Sequence, residues 1–253
     1  MNSIRKAAEI SAKVLDTVNN YVFHLYFPAN NLSLVERVRC VPPILLAEFL
    51  VYRLDSAVEQ VQGIDLQDER GGGYGEFRTH IAKLESVLRW LHAYNKEVAR
   101  QLEAGEQYVR LENRVTSSRV ADHADVLRLA ELRSTDVRLL HNMIFALLRR
   151  PCDEDLLDLM WPVEVLADIG SDFSHYSDDV AAARYNTYAM LVKLYGDAAP
   201  DLVRAEITRY EQQFLAVLER FPEERRAGLK SLCLRRYKQA TADIPRPLPQ
   251  IDY

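Results

Sequence analysis

Apolar residues recur along this chain at intervals of three and four, the period that gathers them on one side of an α-helix. Residues 3–27 carry this spacing and end at Pro28, with a turn at the Asn-Asn that follows. Pro42 and Pro43 are predicted to open a helix running to about Gln62, because proline suits a first turn. Residues 63–75, GIDLQDERGGGYG, read as a loop. A long helix is predicted over Glu76–Glu103, with shorter ones over 106–116 and 120–131. Ser134 is placed to cap a helix over 135–149, and Asp153 to cap the next. Gly170 marks a bend within that next helix, and Ser177 or Asp178 restarts it through Tyr195, before Gly196. Pro200 opens a helix to Phe221, Pro222 opens the last to Thr241, and the tail IPRPLPQIDY reads as extended. No stretch alternates long enough to make a strand, no internal repeat is found and no linker divides the chain. The pattern predicts an all-α fold, a single-domain helical bundle of about eight to ten helices over residues 1–253.

Two segments of that pattern set acids among apolar residues. FLVYRLDSAVEQV holds Asp55 and Glu59; WPVEVLADIGSDF holds Glu164, Asp168 and Asp172. Residues four apart lie one turn above the other on a helix, so each segment stacks its carboxylates in a row. Like charges so placed repel, and the row costs stability unless a cation or a proton neutralises it. With 37 acids in 253 residues, chance supplies about five such pairs, so spacing alone decides little. The surroundings decide more. Phe49, Leu50, Val51, Leu54 and Val58 surround the first row; Trp161, Val163, Val165, Leu166, Ile169 and Phe173 surround the second. Acids in so apolar a helix turn inward, and buried acids need partners or metal.

Composition narrows the classes. A hydrophobic share of 48% supplies a packed core, and a net charge of -5 gives no electrostatic case for a nucleic-acid partner. No apolar run approaches the ~18 residues that span a membrane. Cys40, Cys152 and Cys233 are far apart and odd in number, which fits a reducing cytoplasm rather than a disulfide framework.

Other features have two readings each. GGGYG at 71–75 lacks the lysine and the setting of a phosphate loop; it is a flexible loop, or a lid beside the first row. His175 is solvent-facing or a ligand near the second row; Asp178 is a cap, and Asp179 falls on the row's face and would extend it. Arg133 and Arg138 flank Asp136; they pair with it or offer guanidinium forks to phosphate. Arg235, Arg236, Tyr237 and Lys238 form a solvated basic end or an anion site.

These residues resemble a family. EVLADIGSD is similar to the second aspartate motif of squalene and phytoene synthases, and DIGSD at 168–172 matches its D-x-x-x-D core. YRLDSAVE resembles their first motif, with Arg53 two residues before Asp55. Arg236–Tyr237 resembles the Arg-Tyr pair that microbial terpene cyclases use near diphosphate. All belong to the class I terpenoid synthase superfamily, helical enzymes that bind prenyl diphosphates through magnesium. The chain departs from the pattern at Glu59, which stands for Asp, and at Glu164, which stands for Asn. It also reads SHYSDDVAAARYNTY where phytoene synthases carry Tyr-Leu-Pro. The departures favour a cyclase over head-to-head condensation.

The resemblance implies an isoprenoid-synthase-like bundle and Mg²⁺ held by Asp55, Glu59, Asp168, Asp172 and Glu164. It implies diphosphate contacts from Arg53, Arg133, Arg236 and Tyr237. Tyr52, Phe145 and Phe173 are candidates to line an apolar cavity that shields a carbocation, or are ordinary core. The expected partner is a prenyl diphosphate, and a homodimer is compatible with the exposed helix faces. Two other readings stand beside the cyclase: a prenyltransferase on the same fold, and a non-catalytic helical interaction protein.

Overall fold

The computed structural model describes residues 2–60, 72–117 and 122–248, and every regular element among them is helical. In chain order they are α1 (Asn2–Thr17), a π-helical stretch (Val18–Tyr26), α2 (Phe27–Ala29), α3 (Leu34–Gln60), α4 (Gly72–Trp90), α5 (Lys96–Ser117) and α6 (His123–Arg133). Then follow α7 (Thr135–Leu148), α8 (Glu154–Ala181), α9 (Thr187–Tyr195), a 3₁₀ turn (Gly196–Ala198), α10 (Ala199–Leu218) and α11 (Glu223–Tyr237). The all-α expectation is met. The chain divides into two compact units, Met1–Asn113 with Thr135–Cys152, and Arg114–Ser134 with Asp153–Tyr253.

In the first unit α1 continues without a break through the π-helical stretch into α2, as the spacing predicts, and the chain turns at Asn31 with φ 52°. Its apolar side buries Val14, Val18, Val22, Leu25 and Phe27. α3 begins eight residues earlier than Pro42. Ser33 and Glu36 bond reciprocally: the Ser33 amide donates to Glu36 Oε2 at 2.9 Å, and the Glu36 amide to Ser33 Oγ at 3.4 Å. That capping box fixes the start, so Pro42 and Pro43 lie inside the helix rather than opening it. The helix predicted over Glu76–Glu103 is two. His92 takes φ 56°, and Asn95 Oδ1 accepts the Val98 amide at 2.8 Å, so α5 starts on its own cap. Gly72–Gly75 belong to α4, not to a loop; residues 63–71 of the predicted loop lie outside the described residues.

The second unit is built on α8, which packs against α6, α9, α10 and α11. Asp153 Oδ1 accepts the Leu156 amide at 3.1 Å and starts α8 where predicted. The helix then runs unbroken past Gly170 and past Ser177 to Ala181; α9 restarts only at the Asn186 cap, whose Oδ1 accepts the Ala189 amide at 3.0 Å. Leu159, Val163, Leu166 and Phe173 of α8 are buried, as are Val203, Tyr210 and Phe214 of α10 and Leu229, Cys233 and Tyr237 of α11. Gly170 lies within the unbroken helix. It permits close approach: a Cβ there would lie 2.5 Å from Ala240 Cβ and 3.0 Å from its carbonyl carbon.

Gly170→Ala therefore sets a helix-propensity gain of up to ~1 kcal/mol against an overpacking cost of ~1–3 kcal/mol. Thermal unfolding is expected to show a net loss; a Tm equal to or above the parent's would contradict the tight contact.

Candidate functional site

Glu164, Asp168 and Asp172 rise on successive turns of α8, within the second unit. Glu164 and Asp172 are each 1% exposed, and Asp168 is half-buried. Asp172 is fully engaged. Its Oδ1 accepts from the Arg133 guanidinium, its Oδ2 accepts the Thr187 amide at 2.8 Å, and its backbone carbonyl accepts Asn186 Nδ2 at 2.9 Å. Asp168 Oδ2 accepts the Ser134 hydroxyl at 2.5 Å. Ser134 is thus the last-turn neighbour of Arg133 at the end of α6 and turns its hydroxyl to α8. Asp179 continues the row. Its carboxylate accepts Arg184 Nε and Asn186 Nδ2, both at 2.9 Å. His175 and Asp178 point to solvent.

The row is electrostatically uneven. Burial pushes the Asp168 carboxyl up, and Asp172 adds to this; Arg133, the Ser134 hydroxyl and Arg236 pull the other way without cancelling it. Added positive charge would therefore favour the ionised form of Asp168. Glu164 lies beside Cys233, whose thiol is pushed up to about 12 by burial and by that carboxylate.

Arg236 and Tyr237 serve different surroundings. Arg236 is half-buried and its charge reaches Asp168. Tyr237 is 1% exposed, its ring edge-on to Phe214 at 6.3 Å, and burial with Glu211 raises its hydroxyl. Phe173 is buried edge-on to Tyr188 at 5.3 Å.

In the first unit, Arg53 is exposed, and the Tyr52 hydroxyl lies 2.8 Å from Thr17 Oγ1. Phe145 is buried against His141, which stacks on Tyr26 at 4.2 Å and is pushed down to about 3 by burial. Asp55 and Glu59 fall on the backbone of α3, but their side chains lie outside the described residues. On the same face, seven residues before Asp55, Glu48 is fully buried, and neither of its carboxylate oxygens has a hydrogen-bond partner among the described residues. Burial, with Asp136 adding to it, holds this carboxyl well above its ordinary range.

Among the described residues, no group of three or more His, Cys, Asp or Glu side chains gathers as a metal cage. Magnesium asks less: one or two carboxylates suffice when substrate phosphates supply the remaining oxygens. Asp168 and Asp172 are of that donor type and one turn apart, but both carboxylate oxygens of Asp172 are already engaged by Arg133 and the Thr187 amide. Sequence reasoning missed Asn186, Thr187 and Glu48, and it took Ser134 only for a cap. Glu48 had a signal, since it extends the first row by two turns. The Thr187 amide had none, because a backbone donor carries no residue identity. Comparison of the chain with protein-family models, with curated proteins and with solved structures gives no match.

The two aspartates are expected to respond differently to Asn. Asp172→Asn strips Arg133 of its ion pair and lowers stability by about 2–3 kcal/mol in chemical denaturation. Asp168→Asn keeps an acceptor for Ser134 and removes a carboxyl that burial disfavours, so it is neutral or stabilising at pH 7. Equal losses from both would contradict the uneven row.

Glu48 gives a pH signature. Its native-state value lies above the unfolded value of ~4.3, so the native state holds the proton more tightly. Stability is lost as pH rises from the unfolded value toward the native one. Glu48→Met removes that loss, and its Tm advantage over the parent is expected to grow from pH 4 to pH 8. An advantage independent of pH would contradict a raised carboxyl.

Proposed function

We propose that the chain is a magnesium-dependent class I terpenoid synthase of the cyclase type, acting on a single prenyl diphosphate. One observation carries the reading: Asp168 and Asp172, one turn apart on α8, have two guanidinium groups about them, Arg133 bonded to Asp172 and Arg236 acting on Asp168. The resemblance of DIGSD and YRLDSAVE to the family's two motifs supports it further.

In this reading Asp168 and Asp172 would hold the ion. Bound there, magnesium supplies counter-charge to the leaving diphosphate. Arg133 and Arg236 offer planar donor forks that match phosphate oxygens. Arg133 suits this because its side chain keeps 30% of its surface open while Asp172 keeps 1%. Thr187 and Asn186 fix the Asp172 backbone and carboxylate, so the row stays positioned when Arg133 turns to a phosphate. Ser134 orients Asp168.

A second reading has its own support. Asp172 and Asp179 already find partners within the unit, as acids in a purely structural network do. A non-catalytic helical protein follows from that.

Incubation with geranyl, farnesyl and geranylgeranyl diphosphates, with and without Mg²⁺, separates the two. The expected result is magnesium-dependent diphosphate release with a new terpene, lowered about 10²-fold or more in Asp168→Ala and Asp55→Ala. A product joining two prenyl units would make the enzyme a prenyltransferase. No release from any substrate would overturn the enzymatic reading.

A further inference from the structure

Helix α3 is apolar on both of its sides. Cys40, Ile44 and Ala47 are fully buried on the inner one. On the outer one Leu34, Val35, Val38 and Leu46 are 76%, 79%, 65% and 40% exposed, and Pro42 is exposed between them. Val35, Val38, Pro42 and Leu46 succeed one another at steps of three and four, so they form one continuous stripe along the helix. A helix with apolar residues all round normally has a covering on each side. A stripe of exposed side chains this large on one element marks an interaction surface.

The charges beside the stripe say what covers it. Arg39 and Arg53 are exposed along its edge, whereas Arg37 turns away to the Leu32 carbonyl and the Phe27 ring. Among the described side chains of α3 the acids are Glu36 and Glu48, and neither opposes these cations. Glu36 is tied to the Ser33 amide and hydroxyl and to Arg150. Glu48 is buried. The chain as a whole is acidic, at -5, so a locally basic apolar face stands out against the rest. A second copy of the same face would bring arginine rims together without acids between them. An anionic lipid surface meets both features. Acyl chains take the valines and leucines to the depth of the headgroup boundary, and lipid phosphates take the arginines, whose stems reach across apolar surface. No helix among the described residues is long and apolar enough to cross a membrane, so contact at the surface is the mode that remains for this stripe.

We infer that the outer face of α3, through Leu34, Val35, Val38 and Leu46 with Arg39 at its edge, docks this protein in the interface of an anionic membrane. The inference stands independently of the proposed reaction.

Its test is sedimentation of the full chain with vesicles of phosphatidylcholine alone and of phosphatidylcholine mixed equally with phosphatidylglycerol. Binding is expected to the anionic vesicles, weakened by salt, and about tenfold or more lower in the double variant Val35→Glu, Val38→Glu. Both positions face solvent, so unchanged circular dichroism and Tm are expected of that variant. Arg39→Gln keeps the stripe and is expected to lower affinity for anionic vesicles about fivefold, with little effect on neutral ones. Absence of binding to anionic vesicles, or binding untouched by the double variant, overturns the inference. So does a dimer in sedimentation velocity that the double variant dissociates while vesicles are never bound, which would assign the face to a second copy of the chain.

Discussion

A carboxylate taken out of water must find donors or a cation, and this requirement organises the second unit. α8 brings Asp172 into the interior at 1% exposure. The satisfaction of that one group ties three elements together: Arg133 from the end of α6, the Thr187 amide from the start of α9, and Asn186 at the cap between α8 and α9. Asp179 draws on the same Asn186 and on Arg184, so the turn after α8 is fixed by acids on α8 itself. Packing then follows. With α6 and α9 so placed, Gly170 allows the segment after α11 to approach the helix at contact distance.

Two other carboxyls meet that requirement differently, and the contrast bears on function. Asp168 has the Ser134 hydroxyl and the influence of two arginines, yet burial still raises it. Glu48 in the first unit is buried with no hydrogen-bond partner among the described residues. Carboxyls whose proton affinity is shifted by burial and by a specific charge partner gather at functional sites. Asp168 differs from Glu48 in having guanidinium groups at hand, which is why the proposed function is centred on it.

Helical periodicity made the fold class and most elements legible. The helix over 135–149, the Asp153 cap and the helices opened near Pro200 and Pro222 follow from spacing and caps, which act locally. Two of the misplaced boundaries have local reasons also present in the sequence. Ser33 and Glu36 form a capping box ahead of Pro42, and Asn95 caps α5 within an otherwise helical run. At the site, the acids of α8 were legible because their apolar surroundings turn them inward. Arg133 and Arg236 stood out in the sequence as guanidinium groups, and their charges fall on the row. The partners that distinguish Asp172 from Asp168 were not. A backbone amide at Thr187 and a hydroxyl at Ser134 acquire their roles only from how α6 and α9 pack on α8. The sequence placed Tyr237 beside Arg236, but adjacent residues on a helix diverge by about 100°. One lies by the row and the other in the core.

The proposed function requires Asp168 and Arg133 to be parts of one anion-and-metal site. Calorimetric titration with inorganic diphosphate, with and without Mg²⁺, tests that directly without requiring the substrate's chain. Binding only in the presence of Mg²⁺, lost in Asp168→Asn and weakened in Arg133→Gln, is the predicted result. Diphosphate binding that neither variant alters, or no binding under either condition, would contradict it.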